Sequence, residues 1–403
     1  MVVTSTNANE MLSLSRWSLC VVGVWPDLKS SRQFATISYI IFMTSIVSIC
    51  NFLIIPQTMK LFLIGNDLDM IVNILCTANI PQIVTLIKMS IFRYDSTEVK
   101  SLLHTMYKDW NSEYTSEQVK MIRYSAKVGK RIAAACIGIG YITSNIFFIL
   151  RLILLQEEKS YSSGHVFLFE SHFLIDVSNS PWFEVIWLLQ GFCTFSMTNA
   201  YSGIDGFFAI LVLHLCGQLD VLLDEINMLS IDNAKMDVKE NIRSIIKRQN
   251  EINAFVKMIQ GIFGQIFLIQ VSACVVQFCL QGYQMIHIVT NAKVEKPILQ
   301  LMFMTMYLLY LSLDFYIYCH VAEKLRTKSL EVSQAVYNCK WYDFKTKEAY
   351  DIIFIMSRAQ HPLEITVGKF CSLSLNLFAI VQQQQQQQQK RVAQCRVNCT
   401  SYL

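Results

Sequence analysis

Val336-Tyr337-Asn338-Cys339-Lys340-Trp341-Tyr342 is a charged and aromatic stretch set between two apolar runs. One run, carrying Asp314, ends before it; a shorter one begins after Gly368 and closes at Val381. Nothing in the stretch resembles a catalytic constellation. It has the make-up of a compact bridge between two membrane spans, and the chain upstream is predicted to be organised so as to present it. The fold class that follows is all-α: a polytopic bundle of seven membrane helices.

The composition points the same way. Of 403 residues, 53% are hydrophobic and 16% charged, with a mean hydropathy of +0.37. A soluble domain carries roughly a quarter charged residues, and long uncharged runs place the chain in the membrane class. The net charge of +4 is dispersed along the chain and excludes a nucleic-acid partner. The 13 cysteines are scattered, mostly within apolar runs, with no close pairing. That predicts no disulfide framework, no metal site and no cofactor. Phosphate-loop, dinucleotide-glycine, His-Glu-x-x-His and Gly-x-Ser-x-Gly patterns are all missing, so the chain is not read as an enzyme. The first apolar run starts near Phe34, too far in for a cleaved signal.

Apolar runs fall at about 34–55, 70–87, 132–150, 182–204, 258–286, 297–319 and 368–381. A helix needs about 20 residues to cross a bilayer. Six runs approach or exceed that; the last falls short. With a cytosolic N-terminus, the inside segments (1–34, 88–131, 220–257 and 321–350) hold 24 lysines and arginines against 8 in the outside ones. This threefold bias predicts N-terminus inside and C-terminus outside. A G-protein-coupled receptor has the same span count and the opposite orientation. The external loops ahead of the fifth span also lack the cysteine that class uses as a staple.

Two helices are predicted to outrun the membrane. No proline interrupts Trp182–Met228, and apolar residues persist past Asp205 through Phe207, Leu211, Leu215, Leu219 and Leu222. From Val238 onward Ile242, Ile245, Ile246, Gln249, Ile252 and Phe255 form a second stripe. Such stripes need partners, and a cytosolic bundle packing subunits together is expected, with a surface-lying amphipathic pair as the alternative. The loop of about 30 residues before Ser180-Pro181 is rich in aromatics (Tyr161, Phe167, Phe169, Phe173) with His165, His172 and Asp176, and suits a lid over a pocket mouth or, equally, a loose linker. Asp314, Asp205 and Glu184 lie in or beside spans, where charge is costly. Asp314 is read either as part of an ion path or helix contact, or as a hydrated group at a span end. His214 and Cys216, two apart on a helix, face different ways, so a packed contact is read there rather than a metal.

Aromatic and small polar residues gather in the outer halves of the spans. Asn73, Thr77, Phe147, Phe148, Trp182, Ile186, Gln190, Tyr283, Met306 and Tyr307 are the candidate lining of an apolar cavity for a small volatile or lipophilic ligand.

Several motifs in series resemble the insect odorant receptors, a seven-helix family with a cytosolic N-terminus. They run from Leu14-Ser15-Arg16-Trp17 and Gly23-Val24-Trp25-Pro26, through Phe92-Arg93-Tyr94-Asp95-Ser96, to His214-Leu215-Cys216-Gly217-Gln218-Leu219. The most specific are Ser329, Ala335-Val336-Tyr337 and Cys339-Lys340-Trp341-Tyr342, followed by Arg358, His361-Pro362-Leu363, Thr366-Val367-Gly368-Lys369-Phe370 and Leu373-Ser374-Leu375-Asn376 with Phe378. The resemblance covers nearly the whole chain to Phe378.

It implies a tuning odorant receptor subunit that gates a cation channel in a hetero-oligomer, a tetramer, with the odorant receptor coreceptor. The setting it implies is the cell membrane of a sensory neuron dendrite, in contact with lipid. The implied organisation is a cytosolic segment at 1–34, a six-span ligand-binding bundle at 35–320 with cytosolic extensions at about 206–257, a bridge and shortened pore helix at 321–381, and a polyglutamine and polar tail at 382–403. His214, Gln218, Tyr337, Cys339, Trp341 and Tyr342 would belong to the subunit anchor, and Ser374, Leu375 and Phe378 to the pore helix. The coreceptor itself carries a long insertion between the fourth and fifth spans, whereas Asp232–Asp237 leaves room for only a short turn. Gustatory receptor channels are the nearest rival family. The chain departs at Gln382–Gln389, where a family member's last helix continues for several turns and holds the pore constriction. A homopolymer is a compositional feature. It reads first as a truncated splice form or gene-model error, against conduction by this product, and second as a variant tail that caps the pore mouth.

Overall fold

The computed structural model describes residues 5–26, 28, 32–65, 67–158, 167–175, 177, 179–231, 238–290 and 297–400. Its helices are α1 (Ser5–Val21), α2 (Arg32–Leu63), α3 (Leu68–Tyr94), α4 (Ser96–Trp110), α5 (Ser116–Glu158), α6 (Trp182–Ile231), α7 (Val238–Thr290), α8 (Pro297–Asn338), α9 (Thr346–Ala359) and α10 (Leu375–Thr400). Strands β1 (Thr366–Val367) and β2 (Cys371–Ser372) form an antiparallel hairpin. Among the described residues six helices (α2, α3, α5, α6, α7 and α8) are long and apolar enough to cross a membrane. Tyr161, His165, Asp176 and the expected Asp232–Asp237 turn lie outside the described residues.

Proline shapes the first two spans. Pro56 and Pro81 have no N–H to give, and their rings crowd the carbonyl four residues back. Each helix widens into a single π-helical turn just upstream, at Cys50–Ile54 and Leu75–Asn79, and continues.

The central post is α6. In its most apolar window 89% of residues are buried, against 22% for α2 and for α5. Phe207 through Leu213 are all buried, so this stretch is enclosed on every side, as a helix apolar all round must be. With 50 and 53 residues, α6 and α7 each run on the order of 75 Å at ~1.5 Å per residue. The hydrocarbon core is only about 30 Å thick, so both project well beyond it.

The stripe expected to pack subunits together is covered by the chain itself. Ile242, Ile245, Ile252 and Phe255 are buried in the same core as Leu215, Leu219 and Leu222 of α6 and Leu102, Leu103 and Met106 of α4. What this end of the molecule exposes is different: Tyr337, Tyr342, Tyr350 and Phe354.

The run 368–381 is not one short helix, which corrects the expectation. Gly368, at φ +60°, turns the chain into the hairpin, and α10 starts only at Leu375. Gln260 of α7 seats the hairpin like a third strand: its amide donates to the Thr366 carbonyl (3.0 Å) and accepts from the Thr366 N–H (2.7 Å). From Leu375 the helix passes through the glutamines for 26 residues, about 39 Å. Glutamine's helix propensity is close to that of leucine and lysine, so the tract continues the helix rather than ending it.

Candidate ligand cavity and its polar floor

Helices α3, α5, α6, α7 and α8 surround a chamber of about 140 Å³ at the end of the bundle nearest the segment Phe167–Phe173. A second chamber of about 270 Å³ adjoins it, sharing Thr77, Phe147 and Phe303 as walls. The first is mainly aromatic and apolar; the second carries Asp69, Arg151 and His287.

The described part of the segment expected as a lid lies against the first chamber through Phe169 and is tied down. Phe169 stacks on Phe147 (5.1 Å between centroids), which also meets Phe303 at 5.4 Å. The Phe169 N–H donates to Gln190 Oε1 (3.4 Å), and Gln190 Nε2 donates to the Phe52 carbonyl and to Ser171 Oγ, both at 3.1 Å. The His172 N–H donates to the Pro56 carbonyl (2.9 Å). Glu170 pairs with Lys60 of α2 and with Arg151 of α5 (3.6 Å).

That ion pair carries a pH dependence. Burial pushes the Glu170 carboxyl up, but Arg151 and Lys60 outweigh it and hold it below the usual carboxylate range. A group depressed in the folded state stabilises above its unfolded pKa and loses that contribution as pH falls through the folded value. The thermal midpoint of Glu170→Gln is therefore expected to lie below that of the parent at pH 7, the gap closing as pH drops below about 4. A gap that stays constant down to pH 3 sinks this account.

Of the residues singled out from the sequence, Asn73, Thr77, Phe147 and Tyr307 reach the chamber walls. Phe148 packs instead on Trp187 (4.6 Å). Gln190 holds the lid, and the Tyr283 hydroxyl donates to Asp69 Oδ1 (2.9 Å). Ile186 is buried away from the chambers, while Trp182 and Met306 lie on the outer surface. Adjacent helical residues point about 100° apart, so Phe147 and Phe148 cannot both face in.

Beneath the chamber lies an ionic floor that joins Asp205 and Asp314, both singled out from the sequence, to Lys88, which was not. Lys88 Nζ meets Asp205 at 2.9 and 3.1 Å and the Tyr318 hydroxyl at 3.2 Å, and sits 3.6 Å from the Tyr201 ring centre. Both charged side chains are at most 2% exposed. The Tyr201 hydroxyl donates to Asp314 Oδ2 (3.1 Å) and receives the Gln270 amide. Asp314 is thus a buried helix contact, not a hydrated span end. From the sequence Lys88 counts with the basic inside segment 88–131. The available signal was its spacing: three residues after Thr85 and four before Phe92, on a buried face of α3.

At the far end, His214 Nε2 bonds Asp109 (2.9 Å) and its ring stacks near Trp110. Gln218 bonds Tyr114 and Arg248. Both lie inside the chain, as does Cys339; Tyr337 and Tyr342 face outward and Trp341 is half-buried. Ser374 caps α10 by accepting from the Leu377 N–H (3.2 Å), and Leu375 is partly exposed. Phe378 packs on Phe315 and Tyr316 of α8 at 5.7 and 5.6 Å.

The family model for the 7tm odorant receptors matches residues 69–383, which include the cavity, its floor and the start of α10. The chain belongs to the odorant receptor family. Odorant receptor 10a of Drosophila melanogaster is 24% identical, with 92% of each chain aligned. Odorant receptor Or2 of Anopheles gambiae is also 24% identical, over 51% of this chain, and there the match spans about half (54%) of the relative's own length. The olfactory receptor OR5 of Machilis hrabei, solved in complex with eugenol, has the same fold: TM-score 0.80 at 16% identity, covering 96% of this chain and 98% of that one. This odorant receptor is accordingly a multi-pass membrane protein of a sensory receptor family, not an enzyme.

Proposed function

We propose that this odorant receptor is a tuning subunit of an odorant-gated cation channel, taking a small volatile or lipophilic ligand in the aromatic chamber beneath Phe169. The observation that carries the reading is the chamber itself: about 140 Å³ with mainly apolar walls, roofed by a tethered aromatic segment. An apolar cavity of about 150 Å³ takes benzene in another protein, so the space suits a molecule of about one ring. The Machilis receptor of like fold was solved with eugenol, and ligand capture by the same bundle is extended here to this chain. Its partner is the odorant receptor coreceptor in a hetero-oligomer, a tetramer, with α10 lining a shared pore. The subunit sits in the cell membrane of a sensory dendrite with its N-terminus in the cytosol.

Helix α8 connects cavity and pore helix within two adjacent residues. Asp314 closes the cavity floor, and Phe315 packs on Phe378 of α10. A ligand that alters the floor biases the seat of α10, which is a population shift between closed and open arrangements.

Co-expression with the coreceptor, under a panel of one-ring and short-chain odorants, is expected to give inward cation current. The chain is tested as it stands and with a family-type tail in place of residues 382–403. Silence of both forms to every odorant, with surface expression verified, overturns the reading. Phe315→Ala is expected to keep odorant binding while lowering the evoked current several-fold; unchanged current with unchanged binding removes the α8 connection. An epitope at residue 1 should label only after permeabilisation, and labelling of intact cells overturns the orientation.

A further inference from the structure

Two segments singled out in the sequence, Gly23-Val24-Trp25-Pro26 and Phe92-Arg93-Tyr94-Asp95-Ser96, come together in the fold. Trp25 and Phe92 sit edge-on to the same ring, Phe207 of α6, at 5.5 and 5.7 Å. Between these segments and the first turns of α2 lies a groove of about 550 Å³, larger than either chamber. Trp25, Pro26, Phe42 and Ile46 supply apolar wall, Arg93 and Lys100 supply charge, and no acidic residue lines it among the described residues.

Other half-buried cations of this chain are met by carboxylates: Lys60 and Arg151 by Glu170, Arg248 by Glu225, Lys328 by Asp220. Arg93 differs. It is half-buried, with its guanidinium carbon 5.8 Å from the centres of both the Tyr39 and the Phe42 ring, and it makes no ion pair among the described residues. Nor does Lys100. Ring faces attract the charge but leave the guanidinium N–H donors without acceptors. Asp95 and Glu98 are close in sequence yet do not line the groove, and Glu98 accepts instead from the Thr97 hydroxyl (2.7 Å). The depth of the groove follows from α2. The Pro56 carbonyl receives the His172 N–H of the segment beside the chamber, and back to Phe34 the helix descends about 33 Å at ~1.5 Å per residue. That is about one hydrocarbon thickness. The groove therefore lies at the opposite membrane face, where tyrosine and tryptophan rings and long basic side chains meet lipid headgroups. Tyr39 and Tyr94 stand exposed at its mouth.

We infer that this groove holds an anionic phospholipid, its phosphate at Arg93 and Lys100 and an acyl chain along Phe42 and Ile46 of α2. Two cations with no carboxylate between them match a headgroup of net negative charge. A choline headgroup brings its own cation and leaves that charge unmatched. With the orientation proposed above, on which only the choice of leaflet rests, the groove faces the cytosolic leaflet, where anionic lipids are found. Arg93 follows Lys88 by little more than one turn of α3. A lipid held there steadies the helix end that carries the cavity floor.

The test uses the full chain purified in detergent and reads thermal midpoint against added phosphatidylserine, phosphatidylcholine or soluble glycerol 3-phosphate. Phosphatidylserine is expected to give a saturable rise of several degrees that shrinks in about 0.5 M salt. The other two should give little or none. Arg93→Gln with Lys100→Gln should raise the phosphatidylserine concentration for half the effect on the order of 30-fold. Arg123→Gln with Lys127→Gln, an equal loss of charge at exposed positions of α5, should leave it in place. Equal stabilisation of the parent chain by phosphatidylcholine overturns the inference, even if the Arg93 and Lys100 variant does not fold. So does a phosphatidylserine response that this variant keeps. Stabilisation by glycerol 3-phosphate alone also overturns it, in favour of a site for free anions. Micelles offer lipid to both ends of the bundle, so these outcomes are independent of odorant binding and of orientation, and the epitope at residue 1 decides the leaflet separately.

Discussion

Lys88→Met is expected to remove most of the folded receptor, at a cost of about 3–5 kcal/mol, because it leaves the buried Asp205 carboxyl without its cation. Lysine and aspartate are both almost wholly buried, and the pair lies between α3 and α6 with Tyr201 and Tyr318 around it. A typical folded domain has only about 5–15 kcal/mol to lose. The measurement is the monodisperse yield and thermal midpoint of the detergent-solubilised protein. Asp205→Asn added to Lys88→Met should recover much of the loss, since it is the orphaned charge rather than the missing bond that destabilises. A single variant as stable as its parent would show that the pair is dispensable.

Gly23→Ala should be nearly as damaging, for a steric reason. Gly23 lies at φ +69°, where an L-residue costs about 1–2 kcal/mol. A Cβ there would run into the Ser38 carbonyl and come within 2.6 Å of the Phe42 amide nitrogen, both backbone atoms of α2 with no room to yield. Ser38 Oγ also donates to the Gly23 carbonyl (3.0 Å), fixing the turn that lays Trp25 on Phe207 of α6 at 5.5 Å. Displacing the turn exposes α1 and uncovers the central post. A fall of several degrees in thermal midpoint and faster proteolysis near residue 23 are expected. Gly261→Ala is the control: no atom lies within 4 Å of its added carbon, and in mid-helix the exchange should be neutral or stabilising by up to about 1 kcal/mol. Equal behaviour of the two variants would remove the steric argument.

Much of the architecture is written locally. Six uncharged or nearly uncharged runs of about span length need no tertiary information to be read as spans. The absence of proline between Trp182 and Met228 and the spacing of Ile242, Ile245, Ile252 and Phe255 foretell helices that overrun the membrane. The motifs around Gly23, His214 and Trp341 carry the family. The site was legible only in outline. Residue type marked Phe147 and Phe148 equally, but just one faces the chamber. Gln82 and Gln270 look like ordinary polar residues of a span until the chamber walls are assembled, and the hairpin at Gly368 is hidden in a run read from the sequence as a single short span.

By itself, then, the sequence determined the span count to within one weak member, the long helices and the family, because each follows from composition or periodicity within a few turns. Only the tertiary structure decided that Lys88 finds Asp205 117 residues away and that the far-end stripes are covered by the chain's own helices. Those outcomes depend on which faces of distant segments meet, and a helical period fixes a face without naming what will lie against it.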